Sequence, residues 1–134
     1  MGLTREHARK TLGVYIRAWE TQDPDLICTI FTPSATYHER VLGDPIPDRD
    51  AIRAYWETKV VRDQANISCE LVDFYVDTER ETLIAEWEAR FDDLVKGDRK
   101  HMKEIAVLTF EDGLVSSLRE YWASEQLGAL KETG

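Results

Sequence analysis

Ala8, Leu12, Tyr15, Ile16 and Trp19 recur at the spacing that gathers apolar side chains on one side of an α-helix. That spacing predicts a first helix over residues 4–20. Asp23-Pro24 restarts a helix, with Asp as the capping side chain and Pro at the first helical position. Its buried stripe is Leu26, Ile27, Ile30 and Phe31, and Thr32-Pro33 ends it. Residues 35–40 read as a short strand. The turn formers Gly43-Asp44-Pro45-Ile46-Pro47 make a loop. Asp48 or Asp50 then caps a third helix, with Ala51, Ile52, Tyr55, Trp56 and Val60 as its apolar stripe. Beyond it the period changes to two. Strands are predicted over residues 67–76, 82–95, 101–110 and 114–122. Lys96-Gly97-Asp98 and Asp112-Gly113 supply turns between them, and the last residues add a short helix or fray.

Three amphipathic helices before a long antiparallel meander predict an α+β domain, its helices packed on the concave face of a strongly curved sheet. The chain shows no repeat, linker or low-complexity tract, so residues 1–134 read as one domain. Within the meander, Glu86-Trp87-Glu88-Ala89-Arg90-Phe91-Asp92 alternates strictly. Glu86, Glu88, Arg90 and Asp92 share one face; Trp87, Ala89 and Phe91 share the other. The charged face either meets water or lines a polar cavity inside the sheet.

Composition narrows the functional classes. The 134 residues are 43% hydrophobic and 32% charged, with a formal net charge of −9. That balance disfavours nucleic acid and anionic membranes as partners. No apolar run approaches the ~20 residues of a membrane span. The charged N-terminal residues 1–10 lack a signal-peptide apolar stretch, which makes the cytoplasm the expected address. The two cysteines, Cys28 and Cys69, have no metal-site spacing and read as buried free thiols. Histidine spacing suits no metal, and no glycine loop cradles phosphate, so neither metal nor cofactor is expected.

The order helix, helix, short strand, proline-containing loop, helix and four long strands resembles the nuclear-transport-factor-2-like superfamily. That group includes SnoaL-like cyclases, ketosteroid isomerases and limonene-epoxide hydrolases. The local markers are Ala35-Thr36-Tyr37-His38-Glu39, the segment Ile46-Pro47-Asp48-Arg49-Asp50-Ala51-Ile52, and Leu118-Arg119-Glu120-Tyr121-Trp122. The resemblance implies a cone-shaped α+β barrel with an apolar pocket, usually a homodimer formed through the sheet. Compared with limonene-epoxide hydrolases, Tyr37-His38-Glu39 is similar to a Tyr-x-Asn pair, with Glu in place of Asn. Arg90-Phe91-Asp92 matches an Arg-x-Asp pair, and Glu120 stands where an Asp precedes an aromatic.

Opening an epoxide with water needs one group to take a proton and another to give one. Two carboxyls divide that work when crowding in a low-dielectric pocket keeps one protonated. The resemblance therefore implies Glu120 as base, Asp92 as acid, Arg90 bridging them and Tyr37 holding the water. Tyr37 and His38 point to opposite faces, and Tyr37 is the one expected inside. Tyr15, Trp19, Glu39, Trp56, Glu88, His101 and Trp122 are the expected ligand contacts. The expected ligand is small and largely apolar, and the expected chemistry is hydration, isomerisation or cyclisation. The competing expectation is a non-catalytic binding or dimerisation module plugged by its own aromatics. For the dimer, the sequence suggests the sheet face carrying Trp87, Ala89 and Phe91.

Overall fold

A computed structural model describes residues 2–130. Helix α1, Arg5–Thr21, is capped by Thr4, whose side chain accepts from the His7 N–H. Its buried stripe is Ala8, Leu12, Tyr15, Ala18 and Trp19 with Thr11. Asp23 caps α2, Pro24–Cys28, as its position before Pro predicts. That helix is shorter than the apolar stripe suggests, because Phe31 and Thr32-Pro33 belong to strand β1, Phe31–His38. Asp48, of the two capping candidates, accepts from the Ala51 N–H and starts α3, Arg49–Trp56. A π-helical turn, Glu57–Arg62, continues it.

Four long strands follow: β2, Gln64–Asp77; β3, Thr82–Asp93; β4, Asp98–Glu111; and β5, Leu114–Ala129. The sheet order is β1-β5-β4-β3-β2, with β1 parallel to β5 and every other pair antiparallel. Asp112 and Gly113 both take positive φ, 51° and 84°, in the two-residue hairpin between β4 and β5. Three helices thus pack on an open, mostly antiparallel five-stranded sheet. The chain end departs from expectation: β5 runs past Trp122 to Ala129, paired with the start of β4, where a helix or fraying is predicted. Residues 131–134 lie outside the described part.

The alternation in β3 settles which face is inside. Leu83, Ala85, Trp87, Ala89 and Phe91 are buried beneath the helices, with Trp87 fully enclosed. The charged set faces outward, because burying Trp and Phe is favourable and burying an Arg with several carboxylates is costly. Trp87, Ala89 and Phe91 are therefore core, and the dimer face suggested for them is corrected. Trp87→Ala is expected to cost about 3–5 kcal/mol of stability. Urea unfolding checks this, and a loss below about 1 kcal/mol would contradict the packing.

Gln22 shows how the helical layer is fixed to the sheet. It ends α1 in the left-handed conformation, φ 55°, which disfavours side chains with a Cβ. Its amide offsets that cost by donating to the Val60 carbonyl at 2.8 Å and the Gln64 carbonyl at 2.7 Å. The end of α1, the π-helical turn and the start of β2 are thereby tied together.

Candidate active site

Helix spacing, strand parity and one loop bridge bring a carboxylate and two tyrosines together. Tyr15 and Trp19 lie one turn apart on the buried side of α1. Tyr37 lies near the end of β1, and its backbone exchanges hydrogen bonds with Ile46 at 2.9 and 2.8 Å. Glu120 is in phase with buried Leu118 on β5 and is 6% exposed. The Tyr15 hydroxyl donates to Oε1 of Glu120 at 2.8 Å, and the Tyr37 hydroxyl donates to the same oxygen. The two hydroxyls are 3.0 Å apart.

A second buried carboxyl faces the same cavity. Glu104 is 4% exposed and shares the inner face of β4 with Ala106, Leu108 and Phe110. Glu104 pairs with Trp122 and Ala106 with Glu120, so the two glutamates are diagonal neighbours on adjacent strands. Burial pushes the Glu120 carboxyl up to about 7, although the Tyr37 and Tyr15 hydroxyls favour its ionised form. Burial, then the charge of Glu120, holds Glu104 well above the usual carboxylate range. Two hydroxyls donate to Glu120, which makes Glu104 the member of the pair that favours the proton. Burial and the Glu120 charge also raise both tyrosines, which stay protonated donors.

Trp19, Glu39, Tyr55, Trp56, Lys59 and Gln64 complete most of the cavity wall, whose free space is about 40 Å³. Tyr15 packs edge-on to Trp19 and Trp56, at centroid distances of 6.4 and 5.8 Å, and stacks on Trp87 at 4.7 Å. Trp19 donates to the Gln64 side chain at 2.9 Å. The Trp56 indole nitrogen is buried with no hydrogen-bond partner among the described residues; the Trp87 indole and Oε2 of Glu104 are buried without a bond of ordinary geometry, although the Trp87 indole favours the Glu104 anion.

The structure thus gathers Glu120, Tyr37, Tyr15, Trp19, Trp56 and, at the rim, Glu39. It separates the rest of the expected set. Arg90 faces outward with its side chain 50% exposed and lies 3.5 Å from Glu88, so it bridges no cavity carboxylates. Asp92 is on the same outer face, where the Asn66 amide at 2.6 Å and Arg99 at 3.0 Å hold its carboxyl below the usual range. It is an acceptor there, not a proton donor to the cavity. His101 also faces outward, between Glu125 at 3.0 Å and Glu88 at 2.5 Å, and both carboxylates raise its pKa. Trp122 lies beside the loop after β1, donating to the Glu39 carbonyl at 3.0 Å. Strand parity explains Arg90, Asp92, Glu88 and His101: each is one position out of phase with its strand's buried residues. Arg90→Ala is expected to change stability by no more than about 0.5 kcal/mol and to leave the Glu120 titration in place. Denaturation with a side-chain carboxyl titration tests both.

Glu104, Tyr55, Lys59 and Gln64 were not among the expected site residues. The signal for Glu104 is its phase: a carboxylate on the apolar face of β4. Tyr55 lies on the predicted stripe of α3, and Lys59 falls one turn after Trp56. Gln64 carries no sequence signal; its role follows from its bonds to Trp19 and Gln22.

A family model described as a SnoaL-like domain matches residues 14–118. No curated protein matches the chain. Among solved structures, the chain is similar to SalBIII, an epoxide hydrolase/cyclase-like enzyme of pyran ring formation in the polyether salinomycin. The identity is 21%, with 88% of this chain and 92% of that one covered and a TM-score of 0.76. An M. tuberculosis LEH-like epoxide hydrolase is 13% identical over 88% of this chain and 84% of that one, with a TM-score of 0.73. A hypothetical protein from Catenulispora acidiphila DSM 44928 with a ketosteroid isomerase-like fold, in complex with trimethylamine, is 16% identical. There the cover is 83% of each chain and the TM-score 0.72. At these identities the likeness is one of fold.

Proposed function

The chain belongs to the SnoaL-like family, and from that premise we propose that it is a cofactor-free acid–base enzyme acting on a small molecule. The observation that carries the reading is the pair of buried glutamates in one cavity, with two tyrosine hydroxyls on the oxygen of only one of them. Glu120 is the base. The tyrosines favour its anion and orient it, while burial brings its pKa near neutrality, where a base works well. Glu104 is the acid, protonated beside it. In an isomerisation, Glu120 takes a proton from a carbon next to a carbonyl. The electron pair moves to the carbonyl oxygen, which takes the proton of Glu104. Reversal at a second carbon completes the step. In the hydration of an epoxide, Glu120 takes a proton from water as the water oxygen bonds to a ring carbon; that carbon's bond to the ring oxygen breaks, and the ring oxygen takes the proton of Glu104. The roles that the epoxide-hydrolase resemblance implies for Asp92 and Arg90 find no support in their positions.

Wild-type protein in deuterated buffer with a small ketone such as butanone tests the isomerase chemistry, and a small epoxide tests hydration. Exchange of α-protons, or diol formation, above the buffer rate supports the reading. Buffer rates for both classes count against it.

One observation favours a non-catalytic alternative. A space of about 40 Å³ is far below the ~300 Å³ of typical ligand pockets. In that reading the aromatics fill the cavity, and the domain serves as a binding or dimerisation module. A homodimer through the outer sheet face would use Ile84, Ile105 and Tyr121, exposed neighbours on β3, β4 and β5. Light scattering at micromolar concentration distinguishes dimer from monomer. Among the described residues no helix is long and apolar enough to cross a membrane. Cys28 and Cys69 are free thiols.

A further inference from the structure

The cavity wall is lopsided in charge. Glu39, Glu104 and Glu120 line it from the loop after β1, from β4 and from β5, and Lys59 is the sole cationic side chain in the lining. Lys59 is half-buried and makes no ion pair among the described residues. Most of the remaining wall is aromatic, contributed by Tyr15, Trp19, Tyr37, Tyr55 and Trp56. Glu104 lines this space from the sheet, buried on the same inner face as Glu120. A buried carboxyl group is balanced either by a proton or by a cation. Aromatic rings add attraction for a cation through their negative faces, most strongly where water is excluded. Neither feature helps an anion. A neutral molecule gains only the apolar contact.

We propose that this cavity binds a small organic ammonium ion, whose N–H donates to the Glu104 carboxyl while its charge rests among the tyrosine and tryptophan rings. The inference rests on the reading of the cavity as a small-molecule site, but not on proton transfer within it. It names a positively charged ligand where the sequence suggests an apolar one. Binding would also displace protons from the glutamate pair, since a cation favours their ionised forms. The free space limits a ligand that enters without rearrangement to a few non-hydrogen atoms.

A charge series at constant size tests this. Isopropylammonium, propan-2-ol and acetate have equal numbers of non-hydrogen atoms and charges of opposite sign about zero. Each is titrated into the wild-type protein at neutral pH by calorimetry in two buffers of different ionisation enthalpy. Isopropylammonium is expected to bind saturably with a dissociation constant of about 10 mM or below, at least about 10-fold more tightly than propan-2-ol. Acetate is expected not to bind, and the ammonium heat should differ between buffers because protons are released. Glu104→Gln should weaken ammonium binding about 10-fold, and Lys59→Met should strengthen it. Propan-2-ol binding as tightly as isopropylammonium, or no ammonium binding, overturns the proposal. Should Glu104→Gln fail to fold, the wild-type series and Lys59→Met still decide. The acid–base reading is judged separately: a flat charge series beside a Glu120 that titrates near neutrality removes the ammonium ligand and leaves the base in place.

Discussion

Glu120→Gln is expected to lower proton-transfer turnover by about 10²–10⁴-fold while the protein still folds. The amide is nearly the same size as the carboxyl. Its carbonyl oxygen still accepts from Tyr15 and Tyr37, which now donate to Oε1 of Glu120. What it loses is the capacity to take a proton. Glu120→Ala would confuse the result: the two hydroxyls can bond each other, but one buried O–H is left without an acceptor at a cost of about 1–3 kcal/mol. The measurement is α-proton exchange of butanone in deuterated buffer, alongside a thermal melt. An unchanged rate in a folded variant removes Glu120 from the chemistry. Tyr37→Phe should have a smaller effect, since Tyr15 still donates to the same oxygen.

The second large effect is on stability. Glu104 and Glu120 both hold protons more tightly in the folded state than the ~4.3 of an unfolded glutamate. Above that value the folded chain binds more protons than the unfolded one, so stability falls as pH rises. Their favourable balance is fully present below about 4.3 and is lost as pH climbs through their folded values. For Glu120 alone, the rise from 4.5 to about 7 corresponds to about 3 kcal/mol. Glu88 and Asp92, lowered by His101 and by Asn66 with Arg99, act oppositely and destabilise the fold as pH falls through their range. The melting temperature should therefore decline from pH 5 to pH 8. Glu104→Gln should flatten that decline, raising the melting temperature at pH 8 by several degrees and changing it little at pH 5. A wild-type profile that is flat or rising over this range would contradict the buried pair.

Local signals made much of this architecture legible. Apolar spacing located α1 and α3, Asp23-Pro24 placed the start of α2, and Asp112-Gly113 marked a hairpin whose backbone needs positive φ. The far end of β5 was not legible. Ser124, Glu125 and Gln126 are exposed and do not alternate, and pairing with β4 alone carries them into the strand. Glu120 is in phase with Leu118, and that phase is written in the chain. Arg90-Phe91-Asp92 resembles an active-site pair, but a short motif does not say which way its strand faces. Packing decides that, through the burial of Trp87 and Phe91. Glu104 obeys the phase argument that singled out Glu120, but no family motif draws attention to it. The cavity as a whole was beyond reach, because its residues come from two helices, the π-helical turn, four strands and a loop and meet only in the fold.

The most direct test is a carbon-13 titration of the glutamate side-chain carboxyls in the folded protein. One resonance is expected with a midpoint near 7, absent in Glu120→Gln, and a second, absent in Glu104→Gln, that titrates above the ordinary glutamate range. Every glutamate titrating in the ordinary range near ~4.3 would mean that no proton-holding pair exists in the cavity, and the proposed chemistry would go with it.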